Sequence, residues 1–133
     1  IHLIDDTYNA NPGSMAAAIQ TLADLGRSGR RFLVMGDMLE LGEQSAALHA
    51  ASGELAARSE PSQLLVAGRF RAAVTRGARA GGLPSERIFV GDREEILAAL
   101  KKRLRPGDWV LVKGSRGMGM ETIVQGLMTW AGP

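Results

Sequence analysis

A chain of 133 residues is the size of one domain and can bury a sizeable core. Its 45% apolar and 23% charged residues are those of an ordinary globular protein, and its net charge of +2 comes from scattered arginines, which argues against nucleic-acid binding. With no cysteine, and with only His2 and His49, a disulfide framework is excluded and a zinc centre is disfavoured; no apolar span reaches membrane length.

The chain starts without Met on a strand-like segment, so a piece of a longer, cytoplasmic protein is expected, folded as a single domain over 1–133. "IHLID" (1–5) reads as the first strand, and the crowded loop "DDTYNANPGS" follows it. Met15, Ala18, Ile19, Leu22 and Leu25 then form a helical stripe, with Ser14 as its cap. "RFLVMG" (31–36) is the second strand, followed by "GDMLELGEQS" and an Ala-rich helix over 45–59. "QLLVAG" (63–68) leads through a minimal "GRF" into the stripe Phe70, Ala73, Val74, Gly77 and Ala78. "RIFVG" (87–91) precedes a helix lined by Ile96, Leu97, Leu100 and Leu104, with Asp92 and Glu95 at capping-box spacing. "DWVLVKG" (108–114) ends in "KGSRGMGME" and a last stripe of Met120, Ile123, Val124, Leu127 and Ala131.

Short, near-continuous apolar strands alternating with helices predict an α/β domain. The sheet is expected to be mostly parallel, with five or six strands and helices on both faces. Ligands of such sheets bind outside the carboxyl ends of the strands. The loops after the third and fourth strands are plain, whereas those after the first, second and fifth are elaborate, so the site is expected along that edge.

In the first loop, turn chemistry accounts for Asn11 to Ser14 but not for adjacent carboxylates at Asp5 and Asp6. A strand-end carboxylate suits ribose hydroxyls. In the fifth loop, Lys113, Ser115 and Arg116 among glycines have the makings of an anion site. The second loop offers Asp37, Glu40, Glu43 and His49. They admit three readings: a metal site, a substrate ammonium or amide held by Asp37, or the favoured one, a solvated acidic loop with a helix-surface histidine. His2, alternating with apolar residues, reads as structural. No G-x-x-x-x-G-K-[ST] loop occurs, and no G-x-G-x-x-G follows the first strand.

Together "DDTYNANPGSM", "MGDMLELGEQS…H" and "LVKGSRGMGME" resemble the carboxy-terminal domain of the Mur ligases over essentially the whole chain. The resemblance implies a Rossmann-like third domain, usually with a sixth, antiparallel strand, that closes over a central ATPase domain of the same polypeptide. The activity implied is ATP-dependent addition of D-Ala-D-Ala to UDP-N-acetylmuramoyl-tripeptide through an acyl phosphate, a step of peptidoglycan precursor synthesis. ATP and Mg would be held mainly by the central domain, so this domain alone would be inactive. By position, Asp6 would face the ribose and Asn9 the nucleotide. Lys113, Ser115 and Arg116 would face the peptide and reacting centre, Arg116 pairing with the dipeptide carboxylate, and Asp37 would lie on the same side. A monomer with no nucleic-acid or membrane partner is expected. The alternative is a free-standing nucleotide-binding or regulatory α/β module.

Overall fold

The computed structural model describes residues 1–132, in which strands and helices alternate throughout. The strands are β1 (His2–Asp6), β2 (Arg31–Met35), β3 (Gln63–Val66), β4 (Ile88–Val90) and β5 (Trp109–Lys113). The helices are α1 (Pro12–Leu25), α2 (Ser45–Arg58), α3 (Arg71–Ala80), α4 (Arg93–Arg103) and α5 (Glu121–Ala131). All pairings are parallel and the order is β1-β5-β2-β3-β4. Five strands are therefore present among the described residues, and the sixth, antiparallel one is not among them.

Side-chain alternation divides the core. Leu33, Met35, Leu64, Val66 and Leu111 pack under α1, α2 and α3, while Phe32, Val34, Leu65, Val110 and Val112 pack under α4 and α5. Burial on both faces is why β2, β3 and β5 read as unbroken apolar runs. From β1 to β4 the chain crosses the sheet in one direction with helices on the first face. After β4 it doubles back over the second face, as right-handed crossovers require. The reversal inserts β5 between β1 and β2, so the three elaborate loops leave three adjacent strands at one crevice.

Three sequence expectations change in detail. The cap of α1 is Asn11 rather than Ser14: Ser14 N–H donates to Asn11 Oδ1 at 2.8 Å, and Asn11 N–H donates to Ser14 Oγ at 3.0 Å. Leu25 stands 52% exposed, because a stripe at strict helical spacing drifts off the buried face by the fourth turn. Phe70 precedes α3 rather than lying within it. The capping box of Asp92 and Glu95 on α4 is formed as expected.

Helices α2 and α3 approach more closely than any side chain would allow. A Cβ on Gly53 would land on the Val74 carbonyl, and one on Gly77 would land on the Ala50 carbonyl.

The amino-terminal end of the sheet is braced by an ion pair. Arg30 donates from Nε and Nη2 to the two oxygens of Asp108, at 3.0 and 2.6 Å, and from Nη2 to the Arg103 carbonyl at 2.7 Å. Burial pushes the Asp108 carboxyl up. The hydrogen bonds from Arg30 and Arg105 N–H, with the charges of both arginines, outweigh that and hold it below the usual carboxylate range. Beside it, the exposed His2 ring stacks on Trp109 with centroids 4.1 Å apart.

Candidate functional site

The first elaborate loop is fixed from below and bare above. Asp5 Oδ1 accepts from Thr7 N–H at 3.2 Å and from Thr7 Oγ1–H at 2.7 Å, so the carboxylate that seemed to lack a turn role has one. Thr7 and Ala10 point inward, while Tyr8 is 61% exposed and Asn9 stands beside it in solvent. Beneath them lies Lys113, 1% exposed at the end of β5. Its Nζ donates to Asp6 Oδ2 at 2.8 Å and to the Asn9 carbonyl at 2.6 Å. The ammonium therefore works as a pin, joining β5 to the loop after β1. Asp6 keeps its second oxygen and a half-open position.

Ser115 links all three loops. Its Oγ donates to the Ala10 carbonyl at 3.2 Å and accepts Leu39 N–H at 2.9 Å, while its N–H donates to the Asp37 carbonyl at 3.0 Å. Arg116, next along, is exposed and has no ion-pair or hydrogen-bond partner among the described residues. The far side of this loop is tied by Gly119, whose carbonyl accepts from Arg93 Nη1 at 3.0 Å and from Thr122 Oγ1–H at 2.8 Å.

The second loop is only in part the solvated acidic turn its composition suggests. Asp37 is buried, and its carboxylate accepts Arg69 N–H at 2.9 Å and Phe70 N–H at 3.0 Å, satisfying amides at the start of α3. Gly68, at φ 105°, gives that carboxylate its room, since a Cβ there would collide with it. His49 is buried rather than on a helix surface. Its Nε2 accepts Met38 N–H at 2.9 Å and its Nδ1 faces the Ser45 carbonyl at 2.6 Å, which assigns the proton to Nδ1. Phe70 stacks on the ring at 4.4 Å. Both nitrogens are thus engaged inside the chain, and among the described residues no three acids or histidines converge on a metal. Glu40 and Glu43 are left facing solvent.

The crevice thus brings Asp6, Asn9, Lys113 and Ser115 together, with Arg116 at its rim. Asp37 lies behind it, holding the second loop to the start of α3. The outward set, a half-open carboxylate, a carboxamide and a phenol ring on a fixed loop, has the donors and acceptors that ribose hydroxyls and a nucleotide base need. Arg69 went unnoticed from sequence because it sits in a loop of minimal length. Its exposed guanidinium lies 5.5 Å from the Phe70 ring, and Arg69 lines one pocket with Glu40 and Glu43.

Residues 1–116 match the family described as Mur ligase, glutamate ligase domain. The UDP-N-acetylmuramoyl-tripeptide–D-alanyl-D-alanine ligase of Mycobacterium leprae is 38% identical over 143 residues, covering 96% of this chain and 28% of that protein. Among solved structures, a crystal structure of MurF from Acinetobacter baumannii superposes with a TM-score of 0.82 at 36% identity, over 96% of this chain and 28% of its own. MurF ligase from Thermotoga maritima, solved in complex with ADP, superposes at 0.75 and 31% identity, over 92% of this chain and 27% of its own. The chain therefore spans little more than a quarter of the relatives it matches. Among the described residues no helix is long and apolar enough to cross a membrane.

Proposed function

The chain belongs to the Mur ligase family, and from that premise we propose that it is the closing domain of a cytoplasmic, ATP-dependent ligase that joins D-Ala-D-Ala to UDP-N-acetylmuramoyl-tripeptide. One observation carries the reading: three elaborate loops meet at the reversal of the strand order, in a chain whose sequence holds no phosphate-transfer loop. A half-built site of this kind needs a second domain opposite it. ATP, held with Mg mainly by the central domain, would supply the phosphoryl group that activates the tripeptide carboxylate as an acyl phosphate, with ADP as the leaving group.

The residues of this chain bind, orient and exclude water. Asp6, through its uncommitted oxygen, takes ribose hydroxyls, and Asn9 lies against the nucleotide. Lys113 and Ser115 keep that loop in register, so their effect on substrate passes through Asp6, Asn9 and the backbone they hold. Arg116 brings an unpaired cation to the reacting centre, where phosphate and carboxylate oxygens gather negative charge. Asp37 supports the same side by fixing the second loop.

The test is an assay of the complete polypeptide for phosphate release that depends on ATP, UDP-N-acetylmuramoyl-tripeptide and D-Ala-D-Ala together. The isolated chain is expected to be inactive and to bind ATP weakly. Micromolar ATP binding by the isolated chain, with no ligase activity in the whole polypeptide, would instead support a free-standing nucleotide module.

A further inference from the structure

At the edge of the sheet farthest from β1, a groove of about 540 Å³ lies along α3 and β4, lined by Arg71, Ala72, Thr75, Arg76, Arg79 and Val90. None of these residues serves the site described above. The five from α3 fall within one arc of the helix, away from its buried residues Ala73, Val74, Gly77 and Ala78. Arg71, Arg76 and Arg79 are exposed, and none of their guanidinium groups has an ion-pair or hydrogen-bond partner among the described residues. No acidic residue occurs in α3 or in the lining of the groove. The helix gains nothing from this charge: Arg71 opens α3 at the end where the dipole repels a cation, and Arg76 and Arg79, at i and i+3, repel each other. The strand beside it is open. Among the described residues β4 pairs only with β3. Gly91 N–H donates to the Val66 carbonyl at 3.1 Å, so by the alternation of a strand the N–H and carbonyl of Val90 turn the other way, to the free edge.

We infer that this groove docks an acidic, extended segment of a partner protein, added as a strand beside β4 with its carboxylates on the arginines of α3. Charge complementarity selects the occupant. A second copy of this chain would bring the same three arginines to the contact and be repelled. A lipid surface is flat, whereas the groove is concave and offers only Ala72 and Val90 as apolar side chains. Spacing then sets the pattern of the segment. From Arg71 to Arg79 the helix rises about 12 Å, at its ordinary rise per residue. The first, third and fifth side chains of a strand share one face and span about 13 Å. An acid at every second position therefore lays a row of carboxylates along the arginines, while the residues between them face away. The inference stands apart from the ligase reading, because it concerns an edge strand and a helix face that the reaction does not use.

Fluorescence anisotropy of the complete polypeptide with a labelled peptide of alternating glutamate and valine tests this. Binding is expected with a Kd of about 10 μM at low salt, and the glutamine counterpart should bind about tenfold more weakly or worse. Arg76→Glu together with Arg79→Glu should lose about tenfold, and Val90→Pro, which removes the N–H at the open edge, about threefold. These positions are at the surface, so each variant should keep the wild-type melting temperature. Equal binding of the two peptides, no binding of either, or a charge-reversed variant that binds as the wild type does overturns the groove. An unaffected Val90→Pro variant overturns the added strand. Binding to phosphatidylserine vesicles in place of the peptide overturns the inference in favour of a membrane contact. Loss of the ligase reading would leave all of these outcomes unchanged, since the readout is binding alone.

Discussion

The two ends of the sheet each hold an ion pair between distant parts of the chain, and they are finished to different degrees. At the amino-terminal end, Arg30 engages both oxygens of Asp108 and a main-chain carbonyl, and Asp108 also accepts Arg105 N–H. At the carboxyl-terminal end, Lys113 holds one oxygen of Asp6 and the Asn9 carbonyl. The other Asp6 oxygen, the Asn9 carboxamide and the guanidinium groups of Arg116 and Arg69 have no hydrogen-bond or ion-pair partner among the described residues. The first pair is a brace complete within the domain. The second is a foundation whose upper storey is supplied by whatever docks there. Equal ion pairs by distance therefore signify different things, and the unused valences decide which.

The sharpest way to break that contrast is Asp108→Ala. It removes a buried carboxylate from between an arginine and two turns, and should cost about 3 kcal/mol in urea unfolding at neutral pH. The pH dependence follows from the sign of the Asp108 shift. With its folded pKa depressed, the unfolded chain binds more protons near pH 4, so this stabilisation is complete above about pH 4 and drains away as pH falls through the lower folded value. The variant should show a flatter acid limb than the wild type; parallel limbs would remove the brace.

Lys113→Met should cost less, about 2 kcal/mol, because half-open Asp6 regains water when its partner goes. In the whole enzyme it should also raise the KM for ATP, through slackening of the Asp6–Asn9 loop; an unchanged value would detach that loop from the nucleotide. Arg116→Ala should leave folding within about 0.5 kcal/mol, yet cut turnover about tenfold, which is about 1.4 kcal/mol. Destabilisation on the scale of Asp108→Ala would make the two ends alike after all. Asn9→Ala is the mildest: folding unchanged, and the KM for ATP raised about threefold, or about 0.7 kcal/mol.

Period and composition were enough to find the five strands and the five α-helices, because burial on two faces and on one face leave different apolar rhythms. Strand order was out of reach, and with it the fact that the three elaborate loops are neighbours. Lys113 shows the limit for the site. A lysine closing a buried strand signals a fixed charge, but whether that charge faces a ligand or a loop depends on Asp6, 107 residues away. Asp37 and His49 misled for the same reason: their partners are backbone amides, which every sequence contains. Arg69 carried no signal beyond being an arginine at a strand end. Loop length, which drew attention to three connections, drew it away from the one that completes the pocket.

The contact of Gly53 and Gly77 with the opposing carbonyls bears on how the loops ahead of the two helices can move. Two helices pressed backbone to backbone have no side-chain layer to shear across, so α2 and α3 shift as one slab or not at all. Glu43 stands just ahead of α2 and Arg69 just ahead of α3, so the loops after β2 and β3 are mounted on a single rigid frame. Whatever displaces one of these loops therefore carries the other with it.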